Sequence, residues 1–451
     1  MHRVLLLINA ALLLAICVGI FLSTPDLVII TFLLIGGQTV LAMRLQPKGQ
    51  AISLFHMFTF FNGVFFCLVP LFQYTLQEFK YIEVSSSRPD LIYVNIIVLC
   101  WNAFFFLGAY IAKRTSSFSG RPTITVTKRS FTSIIAIISI AFVVLFYAVW
   151  AKGWPTFFFR DSSPFQSEIA HTFYAFFFKP LIFFCFLLSY LRWCPRPFSR
   201  MIPSQAIWFC LALALNFPTA TPRFYTLSLI LALFAVFVHT SRNWLFYIVL
   251  TVGVFASMLF EFFRSPGGFT EIRPLLGAEY FSAGHFDAYE LFVLGVRDIG
   301  VSGISWGKGF LSALLFFIPR SVWPTKGEAS GQMIAERYIA SFHSVENTNL
   351  SFPLVAECYQ NFWLFGIIFG GIILGFIVSK LDSAFFGLSE AKNEYGRVSL
   401  ALFGLLVGLF MFVLRGALLP SFAYSTGTAV AFFFALKVTG FRLRIHKSKY
   451  T

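Results

Sequence analysis

Three arginines at breaks in apolar sequence are the residues best suited to chemistry in this chain. Arg223, Arg320 and Arg415 each adjoin a proline or a glycine, in "PTATPRF", "FFIPRSVWPTKG" and "FVLRGALLP". An arginine in such a position extends to lipid headgroups or faces the protein interior, because pointing into lipid is costly. Chain breaks at membrane depth line cavities, and a guanidinium group binds phosphate oxygens in pairs. Together with Lys326, these arginines predict a site for a lipid-borne diphosphate.

Acidic residues and histidines nearby in the sequence could accept a proton. Glu357, in "LVAECYQNFW", lies among apolar residues, where an unpaired carboxylate is costly. It is therefore either ion-paired with one of the arginines or a general base. His343, in "SFHSVENTNL", is three residues from Glu346 and is either a second candidate base or a solvated loop residue. Asp287 and Glu290 fall on one face of a helical pattern.

Several kinds of site have no pattern in this sequence. It contains no P-loop, GxGxxG, HExxH or DxD sequence. The seven cysteines are scattered, without a CxxC pair or a Cys/His cluster at metal spacing, so no disulfide framework is expected. We therefore expect metal-independent chemistry and no cofactor.

The composition requires that the candidate residues be positioned by membrane helices. Hydrophobic residues make up 58% of the 451, charged residues only 12%, and Phe alone occurs 62 times. A soluble core could not absorb such a chain. Apolar runs long enough to cross a bilayer recur throughout. They predict an all-α polytopic protein with about twelve spans, at 4–22, 26–43, 51–72, 91–112, 130–151, 171–191, 203–218, 222–240, 243–262, 363–379, 396–414 and 421–440.

The distribution of Lys and Arg predicts the orientation of these spans. With both termini in the cytoplasm, only six of the 34 basic residues fall in the short outer loops: Lys80, Arg88, Lys152, Arg160, Arg223 and Arg415. The net charge of +15 thus reflects loops that flank the membrane, and no nucleic-acid-binding pattern accompanies it. The first span lacks a cleavage site and is expected to be retained.

One connection is much longer than the rest and divides the chain into three regions. Residues 1–262 hold nine predicted spans, 263–362 form a large outer loop, and 363–451 hold three spans and a basic cytoplasmic tail. Within the loop, 285–300 has a helical pattern. The apolar run 309–319 covers about half a crossing and is expected to form a helix that lies at the membrane interface or dips into the outer leaflet and is stopped by Pro319.

The quoted segments resemble those of the oligosaccharide repeat-unit polymerases, the Wzy-type polymerases of O-antigen and related surface polysaccharides. "FFIPRSVWPTKG", "VAECYQNFWLFG", "TATPRF" and "LRGALLPSFAYS" carry the resemblance, with the number of spans and the late outer loop. The likeness in sequence covers roughly residues 215–425. Gly327 departs from this resemblance, because a proline is expected directly after Lys326.

The resemblance implies an enzyme of the cytoplasmic (inner) membrane with its active face outside the cytoplasm. It would transfer a growing chain from undecaprenyl diphosphate to a new lipid-linked oligosaccharide. Arg223, Arg320, Arg415 and Lys326 would bind the diphosphate, and Glu357 or His343 would accept the proton of the acceptor hydroxyl. Asp287, Glu290 and Trp323 would contact sugars. The other expected partners are membrane lipids and a regulator of chain length, and none is a nucleic acid.

Two other functions fit the sequence less well. An O-antigen ligase would share the spans and the arginines but pass the polymer to another acceptor. A flippase or other transporter is expected to carry several charges within its spans and a repeat between its halves. Here Lys179, in "FFFKPL", is nearly the only such charge, and the halves show no repeat.

Overall fold

A computed structural model describes residues 26–44, 52–115, 120–126, 131–153, 165, 167–193, 203–237, 243–256, 286–339, 350–389 and 394–447. The described chain is mainly helical. Its helices are α1 (Leu27–Arg44), α2 (Leu54–Gly63), α3 (Val69–Leu76), α4 (Val84–Arg114), α5 (Phe131–Lys152), α6 (Glu168–Phe173), α7 (Lys179–Trp193), α8 (Pro203–Leu215), α9 (Arg223–Phe237), α10 (Asn243–Ala256), α11 (Ala288–Ser302), α12 (Lys308–Leu314), α13 (Ser330–Tyr338), α14 (Leu354–Ser389), α15 (Glu394–Arg415) and α16 (Leu418–Thr439). A π-helical segment joins α2 to α3 (Val64–Leu68) and another joins α6 to α7 (Tyr174–Phe178).

The helices have the lengths and composition of membrane spans. Within the described ranges, six are long and apolar enough to cross a bilayer: Leu54–Leu76, Ser87–Arg114, Ile169–Arg192, Leu354–Phe385, Gly396–Arg415 and Leu418–Thr439. Five shorter apolar helices accompany them. Every predicted span from 26–43 to 421–440 coincides with a helix, whereas 4–22 lies outside the described residues. The mainly helical fold is confirmed, and these apolar helices indicate an integral membrane protein.

Two features depart from the predicted architecture. Helix α14 begins at Leu354 and not near 363, so residues 354–362, assigned to the outer loop, belong to it. Trp363 interrupts this helix with a φ of 52° and a ψ of −138°. In addition, β1 (Gly120–Val126) pairs antiparallel with β2 (Phe441–Lys447), with Gly120 opposite Lys447. The fold therefore contains one small sheet that the all-α prediction omitted.

Glycines allow the main helix pairs to approach closely. A Cβ added to Gly404 or Gly408 of α15 would overlap the backbone of Leu231 or Ser228 in α9. Likewise, a Cβ on Gly375 of α14 would overlap the carbonyl of Phe105 in α4. Small residues serve this purpose in membrane helices, since association there depends on packing and not on burial from water. These contacts fix the relative heights of α9 and α15.

The basic residues separate between the two ends of the bundle. Helix α15 ends at Arg415 and α16 begins three residues later, so the last residues of α16 lie at the opposite end. There Arg192 donates a hydrogen bond to the carbonyl of Thr439. Lys380, near the far end of α14, donates to the carbonyl of Thr115 at 2.9 Å. The end that contains Arg415 is called the site end below.

Helix α11 is embedded in this bundle and positions its acidic residues. It spans Ala288–Ser302, which confirms the helix predicted over 285–300. Tyr289 and Phe292 are fully buried, and the Tyr289 hydroxyl donates to Asn95 Oδ1 of α4 at 2.8 Å. At its far end, Arg297 Nε donates to Asp90 Oδ2 at 2.6 Å. These contacts hold the first turn of α11 beside the end of α15.

Candidate functional site

Arg415 and Asp287 form a buried ion pair at the site end. Arg415 Nη2 lies 3.0 Å from Asp287 Oδ1, and the two side chains are only 11% and 1% exposed. Asp287 also accepts hydrogen bonds from the backbone N–H of Ser351, at 3.1 Å, and from its hydroxyl. The guanidinium group lies 4.7 Å from the centre of the Phe224 ring, a cation–π contact. Arg415 is therefore held in one position from two sides.

Glu290 lies one turn further along α11 and binds the loop that follows α3. It accepts a hydrogen bond from the backbone N–H of Tyr81 at 2.6 Å and a long one, 3.5 Å, from Gln73. Burial, together with the charge of Asp287, raises the pKa of Glu290 to about 8. The Tyr81 hydrogen bond and Lys80 partly oppose this shift. The carboxyl group is thus largely protonated at neutral pH, which limits the cost of burying it.

Glu357 is buried in the first turn of α14, with a relative exposure of 1%. Its carboxylate accepts hydrogen bonds from the Ser330 hydroxyl and from the backbone N–H of Leu418, both at 2.8 Å. Among the described residues Glu357 forms no ion pair, so the expected pair between Glu357 and an arginine is not observed. Arg415 pairs with Asp287 instead. Glu357 thereby connects α13 to the start of α16.

The turn between α15 and α16 is held by several of these contacts together. Arg415 binds Asp287, Gly416 forms an isolated β-bridge with Ser351, and the N–H of Leu418 binds Glu357. A backbone break inside a membrane protein needs such partners, because its freed polar groups cannot be solvated by lipid.

The loop after α12 contains the other predicted residues. The Lys326 ammonium donates to the carbonyls of Phe316 and Ile318 at 2.7 and 2.9 Å. Arg320 Nη1 in turn donates to the carbonyl of Lys326 at 3.2 Å. Lys326 therefore holds the loop closed after the short apolar helix. That helix, α12, ends at Leu314 and not at Pro319 as predicted, because the carbonyls of Phe316 and Ile318 bind Lys326 and the residues after Leu314 form turns.

Arg320 remains accessible within this loop. Its side chain is 53% exposed, and its distance to Glu328 is 3.9 Å, at the limit of an ion pair. Trp323 is half-buried and donates its indole N–H to Thr325 Oγ1 at 3.1 Å. Phe316 contacts Phe422 of α16, with ring centres 6.4 Å apart, so the loop lies at the site end.

The apolar side chains of the loop face outward. Exposed members include Trp306, Leu311, Leu314, Phe317 and Val322. Exposed apolar side chains beside a membrane span agree with the interfacial position predicted for 309–319.

The structure brings some of the predicted residues together and leaves others apart. Arg415, Asp287 and Glu290 form one group, with Glu357 attached through Leu418. Arg223 is half-buried at the start of α9, next to the Phe224 that contacts Arg415. Among the described hydrogen bonds and ion pairs, none joins Arg320 to these carboxylates. His343 lies outside the described residues, as does Glu346.

Several residues of this group belong to no sequence pattern from which a functional role was predicted. Ser330 is the first residue of α13, Ser351 lies in the short segment before α14, and Tyr81 contributes its backbone. The only sequence feature that pointed to the Tyr81 loop was Lys80, one of the few basic residues assigned to the outer loops. Within the described ranges, no group of three or more His, Cys, Asp or Glu side chains is placed to hold a metal ion.

Comparison with protein-family models, with curated proteins and with solved structures yields no match. The helices and the polar group define an integral membrane protein with a buried ionisable cluster at one end of its bundle.

Proposed function

We propose that this protein polymerises undecaprenyl-diphosphate-linked oligosaccharide repeat units into a surface polysaccharide: an O-antigen, a capsule or an exopolysaccharide. The protein is then a glycosyltransferase of the cytoplasmic membrane that needs no metal. In this proposal the chain has twelve spans, both termini in the cytoplasm and the site end outside. The resemblance of the quoted segments to Wzy-type polymerases supports it.

The observation that carries the proposal is the composition of the site end. Arg223 and Arg415 lie there at chain breaks, Glu357 is attached to the same turn through Leu418, and the loop that carries Arg320 lies at the same end. Fixed cations at headgroup depth suit a lipid diphosphate, which needs charge stabilisation as it leaves.

The reaction joins two lipid-linked substrates. A hydroxyl of the acceptor oligosaccharide attacks the anomeric carbon of the donor chain, whose bond to the diphosphate oxygen breaks. Lipid diphosphate departs with the bonding electrons, stabilised by Arg223, Arg320 and Arg415. Glu357 accepts the hydroxyl proton, with His343 as the second candidate. Because Ser330 covers Glu357, α13 must move for a substrate to reach this carboxylate.

Two expected roles change in the light of the contacts. Asp287 and Glu290 are 2% and 1% exposed and hold Arg415 and the Tyr81 loop, so we assign them positioning roles instead of sugar contacts. Lys326 is engaged by the carbonyls of its own loop and positions Arg320. Trp323 stays as the candidate for stacking on a sugar.

The test is complementation of a strain that lacks this gene, with surface polysaccharide separated on a gel. The proposal predicts a ladder with the native chain and a single repeat unit on the lipid core with Arg320→Ala or Glu357→Ala. Loss of even the single unit would indicate transport or ligation. Polymer that accumulates on its lipid carrier would indicate a ligase and overturn the proposal.

A further inference from the structure

Lys179 is a charged residue inside a membrane span to which the proposed reaction assigns no role. It begins α7, directly after the π-helical segment Tyr174–Phe178, and lies within the candidate span Ile169–Arg192. Its side chain is half-buried. Ionisable residues within spans are costly and mark ligand or ion pathways, and π-helical segments concentrate at functional sites.

Within the described residues, the Lys179 ammonium meets a π face and no carboxylate. Nζ lies 5.0 Å from the centre of the Tyr174 ring, and none of the acidic side chains that the structure describes lies within ion-pair distance. His171 is near enough to interact electrostatically with the ammonium, and its charge would have the same sign. A cation so placed is suited to an anionic ligand.

The surroundings of Lys179 are ordered by a hydrogen-bonded chain that leads toward Arg415. Asn216 donates to the carbonyl of Lys179 at 3.0 Å, and the buried Tyr225 hydroxyl donates to Asn216 Oδ1 at 2.9 Å. Tyr225 directly follows Phe224, whose ring contacts Arg415. Lys179 and Arg415 are thus separate cationic positions connected through the first turn of α9.

Helix α16 closes the same region and supplies hydroxyl groups. Tyr424 packs against Phe176 of the π-helical segment, with ring centres 4.0 Å apart, and against Tyr225 at 5.9 Å. In the next turn, the buried hydroxyls of Ser425 and Thr428 have no hydrogen-bond partner in the described part of the chain. Hydroxyl groups and ammonium cations are both groups that bind phosphate oxygens.

The region is open to lipid on one side. Phe173 is 57% exposed and Phe434 is 45% exposed, and the two are linked through Phe177, whose ring contacts both. An apolar, aromatic rim of this kind suits the hydrocarbon chain of a lipid, with its headgroup directed at Lys179.

We propose that Lys179, with Tyr174 and the α16 hydroxyls, binds the diphosphate of a second polyprenyl-linked substrate. This inference rests on the proposed function, because joining two lipid-linked oligosaccharides brings two diphosphates to one protein. Arg415 is paired with Asp287, whereas no described acid offsets Lys179, so the two positions differ in net charge. The cation without a described acidic partner holds the substrate that keeps its diphosphate, and the arginines serve the one that is released.

Binding can be measured on the purified full-length protein by native mass spectrometry, with undecaprenyl diphosphate as the probe. The wild type, Lys179→Met and Lys179→Arg are compared with Lys437→Met, which removes a lysine from the opposite end of α16. Removing a charge from a span is not expected to destabilise the fold. Parallel titrations with phosphatidylglycerol and with inorganic pyrophosphate separate the lipid-borne diphosphate from other phosphate sources.

We expect Lys179→Met to weaken the binding of the second undecaprenyl diphosphate molecule about tenfold or more, as for loss of a charge-assisted hydrogen bond, while the first molecule still binds at the arginines. Lys179→Arg and Lys437→Met should bind nearly as the wild type does, and phosphatidylglycerol binding should be unchanged. Unaltered affinity in Lys179→Met overturns the inference. Equal weakening toward phosphatidylglycerol, or equal binding of inorganic pyrophosphate alone, overturns the assignment to a polyprenyl diphosphate.

The binding result is independent of the gel assay. A normal ladder from the native chain, together with unaltered binding by Lys179→Met, leaves the polymerase and removes this second site. Binding that depends on Lys179 in a protein that makes no polymer supports the site and removes the polymerase.

Discussion

Arg415, the last residue of α15, is bonded to Asp287, which lies 128 positions earlier in the chain and immediately precedes α11. The ion pair is 3.0 Å long and nearly inaccessible. It fixes the end of one membrane helix against a helix of the long loop, and it holds a guanidinium group at the break before α16.

Removing only one partner of this pair should be strongly destabilising. Arg415→Gln leaves the Asp287 carboxylate buried without its cation and should lower the free energy of unfolding by about 3–5 kcal/mol. The double variant Asp287→Asn with Arg415→Gln should recover most of that loss. Thermal unfolding in detergent measures both. A double variant no more stable than Arg415→Gln would contradict the pairing, and one that still makes polymer would remove Arg415 from the diphosphate site.

Glu290 should make stability depend on pH. Its folded-state pKa of about 8 lies above the ordinary value of 4.5, so the folded protein retains a proton that the unfolded chain releases. Stability from this group is complete below about pH 4.5 and declines as the pH rises toward 8.

Glu290→Gln should flatten that decline and have the higher melting temperature at pH 8, because its amide has no proton to release. Glu336→Gln, a change at an exposed glutamate, serves as the control. Melting curves from pH 5 to 8 test this, and parallel curves for wild type and Glu290→Gln would show the assignment to be mistaken.

Glu357→Gln should separate chemistry from structure. An amide can still accept from the Leu418 N–H with its oxygen and donate to the Ser330 hydroxyl with its nitrogen, so the fold should persist. Loss of a general base should reduce polymerisation by about 10²–10⁴-fold. Ser330→Ala, which removes one hydrogen bond but keeps the carboxylate, should retain a ladder. A full ladder from Glu357→Gln would exclude this residue as the base.

Arg320→Ala should alter function without altering stability. Its side chain is half-exposed and its distance to Glu328 is 3.9 Å, a contact worth at most about 1 kcal/mol. We expect normal protein levels and a shortened or absent polymer ladder. Glu328→Gln removes the weak partner and should leave the ladder unchanged. A normal length distribution in Arg320→Ala would rule out the diphosphate role of this residue.

Gly408→Ala tests the close approach of α15 to α9. The added methyl group would overlap the backbone of Ser228 and should cost about 1–3 kcal/mol. Gly37→Ala, in α1, is the matched control because nothing lies within 4 Å of the position that its added methyl group would take. A melting temperature of Gly408→Ala equal to that of Gly37→Ala would show that the two helices can separate at no cost.

The membrane character of the chain and the positions of most helices could be predicted from the amino-acid sequence alone. Long apolar runs can satisfy their backbone groups in lipid only as helices or closed barrels, so composition and length were sufficient. The helix near 285–300 and the break between α8 and α9 followed from local patterns, whereas α12 ends at Leu314 and not at Pro319. The start of α14 was placed too late, because "LVAECYQNFW" is less apolar than the residues after it although it is equally helical.

Which charged side chains form pairs depends on the tertiary structure. Asp287 pairs with Arg415 and Glu357 binds the Leu418 backbone, and neither choice could be made from residue type, because several arginines were available to each acid. Such pairings depend on the relative heights of packed helices, which contacts such as Gly408 with Ser228 determine. The environment of Lys179 was likewise invisible in "FFFKPL", since its neighbours Asn216, Tyr225 and Tyr424 come from helices distant in the chain.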